Sequence, residues 1–112
     1  MNELGQRIKR ARLDAKLSQR ELASQVGVSY PHISKIEVGV ESASSELLTK
    51  IADVVGISAD ELLFLAKRMP EHVEETVLAK KDLATAFLRK WQVGEISDDE
   101  VRALLNSKSN RA

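Results

Sequence analysis

Between Gln19 and Glu37 the chain reads Gln-Arg-Glu-Leu-Ala-Ser-Gln-Val-Gly-Val-Ser-Tyr-Pro-His-Ile-Ser-Lys-Ile-Glu, and the side chains best placed to do chemistry concentrate there. Ile33 and Ile36 share one face at helical spacing and turn to a core. Tyr30, Pro31, His32, Ser34 and Lys35 are then left facing away from it. Together they offer a ring, an imidazole, hydroxyls and an ammonium, which suit hydrogen-bonded recognition. Catalysis has no comparable set: serines and histidines occur, but nothing arranges a nucleophile, a base and an oxyanion hole. His32 and His72 are isolated and the chain has no cysteine, so neither a metal site nor a cofactor is expected. Asp98-Asp99-Glu100 is helix-start charge favoured by the dipole, not an ion site. The expectation is a binding protein and not an enzyme.

Two short helices must carry these residues. They are separated by Gly27-Val28-Ser29, where Gly27 permits a sharp reversal of the backbone. Ala23 is small where a second helix has to cross close to the first. This is the geometry of a helix-turn-helix, in which the second helix enters a major groove and the first braces it on the phosphate backbone.

Charge supports that reading only when it is taken locally. The 112 residues carry 17 basic and 17 acidic side chains and no net charge. Residues 1–35 sum to +4, residues 36–69 to −3 and residues 70–112 to −1. A neutral chain polarised in this way can still present one basic face. Hydrophobic residues make up 43% and charged residues 30%, a folded and not a disordered composition. Aromatics are only 4%, so the core must be aliphatic. No apolar run approaches the ~20 residues that span a bilayer. No signal peptide is visible, and the absence of cysteine gives no reason to assign an oxidising compartment. A cytoplasmic protein is the default expectation.

Helix-start signatures recur along the chain. Ser18-x-x-Glu21, Ser58-x-x-Glu61 and Ser97-x-x-Glu100 each read as a capping box, and Ser29 and Ser44 as further N-caps. The apolar spacing predicts helices over about 2–15 (Leu4, Ile8, Ala11, Ala15), 19–26 (Leu22, Ala23, Val26) and 30–38 (Ile33, Ile36). Two more run over about 45–55 (Leu47, Leu48, Ile51, Ala52, Val55) and 59–67 (Leu62, Leu63, Leu65, Ala66). Gly27, Gly39 and Gly56 follow the second, third and fourth. Pro70 fits the first turn of a new helical stretch over 71–93, which is either one kinked helix or two, the second starting near Asp82. Gly94 ends it, a last helix covers 98–106, and Ser107 to Ala112 reads as a polar tail.

The residues Leu17-Ser18-Gln19, Glu21-Leu22-Ala23, Gly27-Val28-Ser29, Ile33-Ser34-Lys35-Ile36-Glu37 and Gly39 resemble the signature of the Cro/phage-repressor-type helix-turn-helix family, the xenobiotic-response-element family. The resemblance extends from about Leu4 through Leu65, with Arg12, Lys50-Ile51-Ala52, Gly56 and Glu61-Leu62-Leu63. It departs from the family at Ala43, where proline is common, and at Val38 and Val40, where polar or basic residues often meet phosphate. The resemblance implies an all-α chain: a five-helix DNA-binding domain over 1–69 and a helical extension over 70–112. It also implies base contacts from Tyr30, Pro31, Ser34 and Lys35, and backbone contacts from Ser18, Gln19, Arg20, Ser29 and His32. Arg12 and Glu37 map onto a structural pair beneath the motif.

The extension lies outside that signature. Val77, Ala84, Phe87, Leu88 and Trp91 form a loose apolar stripe, and Val101, Leu104 and Leu105 another. Large side chains of this kind suit an interface centre. The expectation is a homodimeric repressor that binds double-stranded DNA at a pseudo-palindromic operator, joined through residues 70–106. The alternative is a protein-interaction role, as an antitoxin that neutralises a toxin or as a repressor whose C-terminal part a regulatory peptidase targets.

Overall fold

Serine side chains start three of the first helices and glycines stop three of them, and this punctuation sets the fold. The structure, a computed structural model, describes residues 2–106; the expected polar tail at Ser107 to Ala112 lies outside the described residues. Eight helices and no strand are found among them. These are α1 (Glu3–Asp14), α2 (Gln19–Val26), α3 (Tyr30–Val38), α4 (Ser45–Val55), α5 (Ala59–Leu65), α6 (Glu71–Ala79), α7 (Lys81–Gln92) and α8 (Asp98–Asn106). No described helix is long and apolar enough to cross a membrane.

Packing divides the chain into two units, Met1–Pro70 and Glu71–Ala112. In the first, α1 packs on α3, α4 and α5, α2 on α3 and α4, and α4 on α5. Ile8, Leu22, Ile33, Ile36, Leu48, Ile51 and Leu62 are its largest fully buried side chains. Burial of each such side chain stabilises the fold by about 1.5–3 kcal/mol. The predicted apolar faces of α2, α3 and α4 all lie in this core.

Several expectations change. Ala15 does not join the α1 face: it is the exposed C-cap, and Arg12 is buried instead. On α5 only Leu62 is fully buried, while Leu63, Leu65 and Ala66 pack half-buried against the cluster. The capping boxes at Ser18 and Ser97 form, and Ser29 and Ser44 cap α3 and α4. The one at Ser58 does not, because Glu61 turns to Arg7, whose Nε donates to it at 2.6 Å. That guanidinium holds the Glu61 carboxyl below the usual carboxylate range.

One close approach was invisible in the pattern. A Cβ at Gly5 would overlap the Glu37 carbonyl and lie 2.9 Å from the Ile36 carbonyl oxygen. Glycine therefore lets α1 lie directly on the C-terminal turn of α3.

In the second unit the stretch 71–93 is two helices. Lys80 breaks it with φ −124° and ψ 39°, so α7 starts one residue before Asp82 and Pro70 stands just outside α6. No residue of α6, α7 or α8 is buried within the described structure. Trp91 and Phe87 lie with ring centroids 5.8 Å apart, and the indole N–H donates to Asp98 at 2.7 Å.

Candidate nucleic-acid interface

Helix α2 ends at Gly27, whose φ of 79° is the left-handed conformation that glycine adopts without strain. Its amide donates to the Ala23 carbonyl at 2.9 Å, and the chain reverses within Gly27-Val28-Ser29. The Ser29 hydroxyl then accepts from the His32 amide at 3.3 Å, and Pro31 occupies the first turn of α3, where its missing N–H is harmless. Ile33 and Ile36 anchor α3 in the core, so the opposite side of the helix must face outward.

On that side Tyr30, Pro31 and Lys35 are exposed, and His32 and Ser34 are half-buried. The Arg20 guanidinium stacks over the Tyr30 ring at 4.4 Å from its centroid, which ties the first turn of α2 to the first turn of α3. Tyr30 therefore keeps one ring face for a partner. Ser18 is committed to its capping box. Its hydroxyl accepts from the Glu21 amide at 3.0 Å, and its own amide donates to the Glu21 carboxylate at 2.8 Å. The Ser18 backbone amide first, and then the Ser18 side chain, hold the Glu21 carboxyl below its usual range.

Beneath the two helices lies a polar network. Arg12 donates from Nε and Nη2 to the two Glu37 oxygens at 2.7 and 3.0 Å, and from Nη1 to the Leu17 carbonyl at 2.9 Å. Gln19 adds a third donor, its Nε2 lying 3.0 Å from Glu37 Oε1. The backbone-contact candidate Gln19 is thus half-buried and linked from α2, through Glu37, to α3. Among the described residues no buried side-chain nitrogen or oxygen lacks a partner.

His32 does not stand free for a phosphate. Its Nδ1 is 2.6 Å from Oε1 of Glu41, and Lys35 Nζ is 3.7 Å from Oε2 of the same carboxylate. The imidazole hydrogen bond, and to a lesser degree the charge of Lys35, holds the Glu41 carboxyl below its usual range. Glu41 was not among the residues singled out by sequence. It lies in the loop after Gly39, where no periodicity indicates which way a side chain turns.

The extension presents its apolar side chains outward in its own unit. Leu88, Leu104 and Leu105 are exposed, Trp91 is at the edge of exposure, and Val77, Ala84, Phe87 and Val101 are half-buried.

Comparison with known proteins agrees with the α1–α5 arrangement. A helix-turn-helix family matches residues 8–62. An uncharacterised HTH-type transcriptional regulator of Mycobacterium tuberculosis is 38% identical over 58 residues, which are 52% of this chain and 41% of that one. A prophage-derived uncharacterised HTH-type transcriptional regulator of Bacillus subtilis is 32% identical over 59 residues, 53% of this chain and 55% of that one. The matched region therefore spans about half or less of these relatives. Among solved structures, a SinR protein/SinI protein complex aligns with a TM-score of 0.53 and 28% identity over 96% of both chains. The clp gene regulator ClgR from Corynebacterium glutamicum aligns with a TM-score of 0.52 and 28% identity, over 80% of this chain and 88% of that one.

Proposed function

This chain carries a helix-turn-helix domain of the Cro/phage-repressor type, and from that premise we propose that it is a sequence-specific DNA-binding transcriptional regulator. It acts as a homodimeric repressor and reads a pseudo-palindromic operator with α3. The observation that carries this reading is the outward face of α3, where Tyr30, Pro31 and Lys35 project from a helix held rigidly by its caps and by Glu37. Lys35 donates to guanine O6 and N7, and the Tyr30 and Pro31 rings meet thymine methyl groups. Ser34 completes the base-facing set. Ser18, Gln19, Arg20, Ser29 and, once it leaves Glu41, His32 line the flanking phosphate contacts, which fix register without carrying sequence information.

The second unit supplies dimerisation. Its large side chains Leu88, Trp91, Leu104 and Leu105 are exposed and suit the same surface of a second copy. Two half-sites then lie about one helical turn apart on the operator. The test is selection of duplexes bound by the full chain from a random pool. Inverted repeats at that spacing support the reading, and a pool left without enrichment overturns it.

A second reading, in which these helices hold a different protein, draws on the likeness to a chain solved in complex with another protein. The extension would then bind a toxin or a regulatory peptidase. Copurification of a partner that releases the chain as a monomer would favour it over the homodimer.

A further inference from the structure

We propose that Glu41 is a built-in competitor of DNA phosphate on the α3 face, holding Lys35 and His32 and so restraining the electrostatic part of DNA binding. This rests on the DNA-binding reading above and adds a residue to it. The chain after α3 is built to put a carboxylate there. Gly39 takes φ 88°, and the amides of Gly39, Val40 and Glu41 all turn onto the Lys35 carbonyl, at 3.0, 2.9 and 3.3 Å. The loop is thereby wrapped back along the end of α3. Glu41 reaches two side chains one helical turn apart, the His32 imidazole at 2.6 Å through one oxygen and the Lys35 ammonium at 3.7 Å through the other.

On mixed-sequence DNA, where Lys35 meets no matched guanine, a phosphate presents oxygens to Lys35 and His32 in the same manner, so it and Glu41 claim the same groups. The Glu41 carboxyl is held ionised by these contacts, so it acts as an anion at neutral pH. The group is also available for displacement. Its side chain is 41% exposed, Lys35 is 54% exposed, and neither is locked by burial. Exposed ion pairs of this kind are weak, so DNA breaks the pair without unfolding anything. Glu21, on α2, is held in its capping box and has no such choice.

Non-specific affinity is nearly all phosphate electrostatics, and its salt dependence counts the phosphates neutralised, with a slope of about 0.9 per contact. Removing the Glu41 charge frees one cation, Lys35, for phosphate and releases the His32 imidazole from its carboxylate partner. The full chain and its Glu41→Gln variant are compared on two 30-base-pair duplexes, one recovered by selection with the parent chain and one of mixed sequence. The expected result is tighter binding of the mixed-sequence duplex and a plot of log affinity against log salt steeper by about 0.9. One extra contact is worth about threefold in affinity across a fourfold change in salt. In a His32→Ala, Lys35→Ala background the same substitution then has no effect.

An unchanged slope overturns the proposal. So does selective loss of affinity for the recovered duplex, which would make Glu41 a direct acceptor from cytosine. Thermal melting of Glu41→Gln confirms that the variant is folded, and Glu41→Ala repeats the measurement with the side chain removed. If selection with the parent chain enriches nothing, the DNA-binding reading fails. If it enriches a sequence but Glu41→Gln behaves as the parent, only this inference fails.

Discussion

Arg12 and Glu37 form a two-point ion pair under the corner between α2 and α3, with nitrogen–oxygen distances of 2.7 and 3.0 Å and side chains only 7% and 2% exposed. The pair joins α1 to α3, and Gln19 and the Leu17 carbonyl complete its hydrogen bonds. A buried pair of this kind is not strong evidence of net stabilisation, since desolvation offsets much of the attraction. Its removal on one side is a different matter. Glu37→Ala leaves Arg12 buried and unpaired, at about 3–5 kcal/mol. Urea denaturation should show a midpoint far below the parent, and DNA binding should be lost with the fold. A parental midpoint would mean that the guanidinium finds water or another partner.

Gln19→Ala removes a donor from Glu37 and a candidate phosphate contact at the start of α2. The stability loss should be modest, about 1 kcal/mol, because Arg12 still satisfies the carboxylate. Binding should weaken by a similar factor on matched and mixed-sequence duplexes, since phosphate contacts carry no base information. A changed base preference with intact affinity, seen in a repeat selection, would exclude the assignment.

Lys35→Ala tests base readout. Its side chain is exposed and pairs only loosely with Glu41, so the fold should be unaffected. Loss of a good base contact is worth about 1–3 kcal/mol of discrimination at one position. Selection with the variant should return the parental consensus relaxed at one position in each half-site. An unchanged consensus removes Lys35 from the base-reading set.

The extension is tested by sedimentation of a chain ending at Met69, close to the division between the two packed units. A monomer is expected, because the exposed leucines of α7 and α8 and the Trp91 ring are removed together. Binding to a single duplex should then fall steeply, as each monomer holds only one half-site. A stable dimer from the shortened chain would put the interface on the five-helix unit instead.

By itself the sequence determined the all-α class, the helix-turn-helix and most of the first core. The reason is that these features are local. Ser29 and Gly27 act within one turn of their own positions, and the spacing of Leu47, Leu48, Ile51, Ala52 and Val55 needs only the helical period to declare a buried face. The outward residues of α3 followed from the inward ones by the same period. What required tertiary structure was the choice that particular side chains make between a local and a distant partner. Glu61 stands at capping-box spacing from Ser58, yet it pairs with Arg7 on α1, 54 residues away in sequence. Gly5 looks like an ordinary weak point in a helix, and only the position of the Glu37 carbonyl makes it necessary. Glu41 belongs to no repeating pattern, and its place on Lys35 and His32 depends on a loop folded back over a helix end. Caps and periodicity act over a few residues, whereas these contacts depend on how separate helices and loops meet in space.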